Sequence, residues 1–85
     1  MKKKVLTVDD SRTMREMVSF TLRGAGFDVV EAIDGQQALV VLASHKVDLI
    51  LADLNMPNMD GITLIRQVRA SGGHRTVPIL SLIHI

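Results

Sequence analysis

The sequence predicts an α/β fold, a parallel sheet with helices packed against it. Short apolar runs alternate along the chain with amphipathic stretches, and the runs are apolar at successive positions rather than at every second one, as in strands covered on both faces. No internal repeat or low-complexity linker divides the 85 residues, a length that allows one small domain.

The first strand is read over Val5-Leu6-Thr7-Val8, short and rich in β-branched residues. From Ser11 the apolar positions become Met14, Met17, Val18, Leu22 and Ala25, spaced by three and four, so a helix follows directly. Asp10 or Ser11 caps its first amides, and Gly24 and Gly26 supply its exit. Phe27 to Ala32, with Val29 and Val30, reads as a second strand, and Asp34-Gly35 turns the chain into a helix built on Ala38, Leu39 and Leu42. Val40 and Val41 weaken that helix, because β-branched side chains lose rotamer freedom there. Val47 to Ala52 is the strongest strand signal, a near-continuous apolar run ending in Asp53, and it belongs in the middle of the sheet. Residues 54–61 (Leu-Asn-Met-Pro-Asn-Met-Asp-Gly) are rich in turn formers. A third helix gathers Ile62, Leu64, Ile65 and Val68 and ends at Gly72-Gly73, and Val77 to Ile83 reads as a fourth strand.

Composition narrows the functions. With Lys+Arg 10 against Asp+Glu 9, the chain has no global basic field to hold nucleic acid or an anionic membrane, so neither is expected as a partner. Lys2, Lys3 and Lys4 are too few to argue otherwise. Mean hydropathy of +0.27 argues against disorder. There is no cysteine, hence no disulfide or thiolate metal site, which fits a cytoplasmic protein. No apolar stretch approaches the ~20 residues of a membrane span. His45, His74 and His84 lack ligand spacing, and the position twelfth from Asp53, where a calcium loop needs Glu, is Leu64.

The acids are the informative residues. Asp9 and Asp10 follow the first strand and Asp53 ends the third, and in a parallel sheet such ends share one edge. Taken singly, each reads as a helix cap or a strand terminus. Jointly, if the first and third strands are neighbours at a switch point, they form a crevice of three carboxylates. Such carboxylates repel one another unless a cation compensates, and oxygen-only ligands with room for water and phosphate suit Mg²⁺.

Residues 5–11 (Val-Leu-Thr-Val-Asp-Asp-Ser), the Asp34-Gly35 turn with Ala38-Leu39, the run from Leu49 through Asp53 to Pro57 and Gly61, and Val77-Pro78-Ile79 together resemble a response-regulator receiver domain, most closely of the chemotaxis type. The resemblance implies a flavodoxin-like, doubly wound parallel sheet of order 2-1-3-4 with three helices, over residues 1–85 as a single receiver domain. It implies that Asp53 is the phospho-acceptor, taking a phosphoryl group from a histidine kinase, and that Asp10 and Asp53 bind Mg²⁺ by their side chains. Asp9 then holds the metal's water shell and the backbone carbonyl of Asn55 completes the set. Such a chain is phosphorylated rather than being a turnover enzyme.

The pattern departs from the family at the C-terminal side. Receiver domains carry a Thr or Ser at the end of the fourth strand and a Lys at the end of a fifth. Counting from Pro78, the hydroxyl position falls on Ile83, and Ser81 lies one pleat earlier, ~6.6 Å short. Lys2, Lys3, Lys4 and Lys46 all precede the fourth strand. The resemblance therefore implies a domain incomplete at its C-terminus, with the fourth strand an apolar edge and the first helix presenting the side near Phe20 to water or a partner. The competing reading is a Mg²⁺-binding interaction module that switches poorly. A metal-dependent phosphatase is disfavoured, because Asn55 stands where such enzymes place a second acid.

Overall fold

The computed structural model describes residues 2–53, 61–70 and 76–82 and, of residues 53, 61–63, 81 and 82, the backbone alone. Its elements are β1 (Lys4–Val8), α1 (Arg12–Gly24), β2 (Asp28–Ala32), α2 (Gly35–Ser44), β3 (Leu49–Asp53), α3 (Gly61–Ala70) and β4 (Ile79–Leu82). The strands form one parallel sheet of order β2-β1-β3-β4, the expected topology.

The order decides where the helices go. The chain steps one way from β1 to β2, then back across β1 to β3 and onward to β4, and right-handed crossovers put α1 on one face and α2 with α3 on the other. The core lies beneath α2 and α3. Leu6 and Val8 of β1, Ala32 of β2, and Ile50 and Ala52 of β3 pack against Ala38 and Leu42 of α2 and Leu64 and Val68 of α3. Alternation along the strands sends Val5, Thr7, Val29, Glu31, Leu49, Leu51 and Leu80 to the opposite face. There α1 rests on β1 and β2. Beyond its reach Leu49 and Leu51 are half-buried and Leu80 is largely exposed.

Several boundaries differ from expectation, each for a local reason. Val47 is buried in the core, but β3 begins only at Leu49; the approach is tied down instead by Asp48, whose N–H donates to the Lys4 carbonyl (2.8 Å) while its carboxylate accepts from the Lys4 N–H (2.9 Å). Pro78 has no N–H for the ladder, so β4 starts after it, although the Pro78 carbonyl already accepts from Ile50 N–H (3.0 Å). Gly72, Gly73 and Ile83 lie outside the described residues. Helix α2 forms despite its valines, with Val40 pointing outward and Val41 packed on the core.

Helix α1 departs further from the periodicity argument. Its fully buried residue is Ser19; Met14, Val18 and Leu22 are half-buried, while Met17, Phe20 and Ala25 are exposed. The stripe turned to the sheet runs through Arg15, Ser19 and Leu22, spaced by four and three. The apolar flank is thereby left as a shallow groove lined by Met14, Met17, Val18, Thr21 and Leu22.

Candidate functional site

The parallel sheet brings the predicted acids to one edge. Val8 is paired with Ala52, so the next residues, Asp9 and Asp53, stand at matching levels on adjacent strands, which lie roughly 4.8 Å apart. Asp53 is the last residue of β3, opposite Leu82 of β4. This is the sheet's switch point, for the crossover from β1 leaves toward β2 and that from β3 toward β4.

Around Asp9 the backbone is held from several sides. Its N–H donates to the Ala32 carbonyl of β2 (3.1 Å). Its Oδ1 accepts from the Ser11 N–H (2.8 Å), a local turn that bends the chain from strand into helix. Ser11 then caps α1, its Oγ accepting from the Met14 N–H (3.3 Å). The Asp9 carbonyl accepts from Arg15 Nη1 (2.8 Å), and Arg15 Nε donates to Glu31 Oε1 of β2 (3.1 Å). Asp9 is 0% exposed, so it is not a solvated cap, whereas Asp10 faces solvent.

The described residues therefore supply a buried, constrained acid beside an exposed one, both at the end of a central strand. Among the described residues no three His, Asp or Glu side chains gather as a metal cluster. The Asp53 side chain and Asn55, the other expected ligands, lie outside them, as do Pro57, Asp60 and the Ser81 side chain. The donors present fit Mg²⁺, being hard oxygens with a solvent-facing carboxylate that leaves coordination positions to water. His45 sits apart at the end of α2, its Nδ1 beside the Val41 carbonyl (3.2 Å) and Ser44 Oγ (3.1 Å).

Sequence reasoning missed Arg15 and Glu31. The available signal was a cation one helical turn past the acid pair, at a position whose neighbours along the helix face the sheet.

A parallel sheet of this order is that of a doubly wound, flavodoxin-like α/β domain, a class that binds ligands in the crevice at its switch point, where the acids stand here. The chain belongs to the response regulator receiver domain family, whose model matches residues 5–83. It is 43% identical over 82 residues to the DNA-binding response regulator MtrA of Mycolicibacterium paratuberculosis, covering 96% of this chain and 35% of that protein. Among solved structures, the chemotaxis response regulator CheY4 of Vibrio cholerae superposes with a TM-score of 0.92 at 42% identity, covering 95% of this chain and 68% of CheY4. The receiver domain of the sensor histidine kinase PA1611 of Pseudomonas aeruginosa, which has a magnesium ion coordinated in its active site cleft, superposes with a TM-score of 0.90 at 31% identity, over 98% of this chain and 68% of that one. The chain thus spans about a third of the length of the MtrA relative. It is a receiver domain of the kind used by two-component systems. No helix among the described residues is long and apolar enough to cross a membrane.

Proposed function

We propose that residues 1–85 act as one receiver unit, a cytoplasmic phosphoacceptor that takes a phosphoryl group from a histidine kinase onto Asp53. The observation that carries the reading is the register: Val8 pairs with Ala52, which sets the acid pair and Asp53 side by side at the switch point. In the transfer, a carboxylate oxygen of Asp53 attacks the phosphorus of a phosphohistidine. The O–P bond forms, the N–P bond breaks, and its electron pair returns to the imidazole nitrogen.

Such chemistry asks mainly for positioning and for neutralisation of the charge on the phosphoryl oxygens. Asp10 and Asp53 would hold Mg²⁺ by their side chains, Asp9 through its water shell and Asn55 through its carbonyl; the ion, when bound, would supply that neutralising charge. The PA1611 structure supports this assignment by likeness. Asp9, fixed by Ala32, Ser11 and Arg15, keeps the loop shaped, and Asp10 meets the solvent from which the metal and donor arrive. The likeness to CheY4 favours a chemotaxis-type output through a protein effector.

The test is the intact mass of the chain after incubation with Mg²⁺ and a small phosphodonor. A phosphoryl adduct that is lost in Asp53→Asn supports the proposal. Mg²⁺ binding without an adduct would favour the interaction module, and steady phosphate release the phosphatase.

A further inference from the structure

We propose that Arg15 is a positioning residue for the metal-binding acid pair, braced in turn by Glu31. The inference rests on the reading of Asp9 and Asp10 as Mg²⁺ ligands and extends it to groups that touch neither metal nor phosphate.

Arg15 lies on the sheet-facing stripe of α1, where an apolar side chain would be the ordinary choice, and its side chain is only 14% exposed. Its guanidinium donates from Nη1 to the Asp9 carbonyl and from Nε to Glu31 Oε1. The planar fork thus spans two elements at once, a geometry that a lysine cannot reproduce. The carbonyl it holds belongs to the peptide joining Asp9 to Asp10. The other side of Asp9 is fixed by its N–H on Ala32. With the N–H of Asp9 tied to β2 and its carbonyl tied to Arg15, which Glu31 of β2 holds in turn, the plane of the Asp9–Asp10 peptide is set, and with it the position from which Asp10 departs. Arg23, exposed and 3.7 Å from Glu31 Oε2, adds a looser contact on the far side of the same carboxylate.

The sign of the effect separates positioning from simple charge. If Arg15 acted only through its charge, removing it would strengthen the binding of a cation. If it acts by holding the Asp9–Asp10 peptide, removing it weakens binding despite the lost repulsion. Groups that orient metal ligands without touching the metal typically contribute 10- to 100-fold in affinity.

The experiment is a Mg²⁺ titration of the full chain followed by the amide resonances of Asp9, Asp10 and Ser11. It compares the unsubstituted chain with Arg15→Met, Arg15→Lys, Glu31→Gln and Asp10→Asn, and amide dispersion reports the fold of each. We expect Kd to rise about tenfold in Arg15→Met and in Arg15→Lys, with a smaller rise in Glu31→Gln, and the double variant Arg15→Met/Glu31→Gln to add little to Arg15→Met alone. Binding unchanged or tighter in folded Arg15→Met overturns the inference; should that variant not fold, unchanged binding in Arg15→Lys does so. If the unsubstituted chain gives no saturable response, or responds just as Asp10→Asn does, the metal-site reading itself fails and takes the inference with it.

Discussion

At the residue scale, the side chains that matter most are those that satisfy backbone groups where strands become helices. Asp9 and Asp34 follow β1 and β2, and each turns the chain by accepting from an amide just ahead. Asp34 caps α2, taking the Gln37 N–H at 2.8 Å, and Gln37 answers by accepting the Ile33 N–H through Oε1 at 2.7 Å. This reciprocal pair resembles a capping box shifted by one residue. Asp34→Ala should therefore cost about 1 kcal/mol, as N-cap losses do, with Gln37 losing its partner arrangement as well. Urea unfolding would measure it, and a change below about 0.3 kcal/mol would mean that water replaces the cap at no cost. The Asp34-Gly35 turn was legible in the sequence; the answering role of Gln37 was not, because its value depends on the chain reversing at Ile33, which only the fold establishes.

At the element scale, periodicity located the helices and strands of the described residues but set the inner stripe of α1 to one side of the stripe the sheet meets. Counting apolar residues found the stripe through Met14, Met17, Val18, Leu22 and Ala25, yet burial follows the sheet, which meets Arg15, Ser19 and, of that stripe, Leu22. An arginine whose stem lies along the sheet and whose guanidinium has two fixed polar partners occupies that position, and no hydropathy pattern can reveal partners supplied by the end of β1 and by β2. Helix α2 offers a cleaner test of the opposite weighting. Its two adjacent valines carry the same intrinsic penalty, but Val40 is 70% exposed while Val41 packs against the core. Val40→Ala should stabilise the chain by about 0.5 kcal/mol, the propensity difference alone. Val41→Ala should destabilise it by roughly 1 kcal/mol or more, because the lost burial outweighs that gain. Paired thermal melts decide the matter, and equal shifts of one sign at the two sites would contradict the assigned faces.

At the scale of the whole molecule, the proposed metal site would couple stability to function through the acid edge. The matching of Asp9 with Asp53 was readable because parallel strands place their C-terminal ends together whatever the loops do, and the strand order came from the family resemblance; the brace from Glu31 was not readable, because it joins residues 16 apart across two elements. A chain of this size hides only about 60% of the surface its unfolded form exposes, so modest ligand binding moves its stability visibly. A metal that binds the folded acid edge and not the unfolded chain stabilises by mass action. At tenfold excess over Kd the gain is about 1.4 kcal/mol, which for a domain of this length raises Tm by roughly 6–11 °C. The rise should occur with Mg²⁺ against a sodium chloride control of equal ionic strength, since simple screening would act in both. Asp10→Asn should abolish it, because that carboxylate is the solvent-facing member of the pair, while Asp48→Asn, on the opposite end of the sheet, should leave the metal-dependent increment intact. Circular dichroism melts of the three chains suffice, and an increment that survives in Asp10→Asn would place any bound metal somewhere other than this edge.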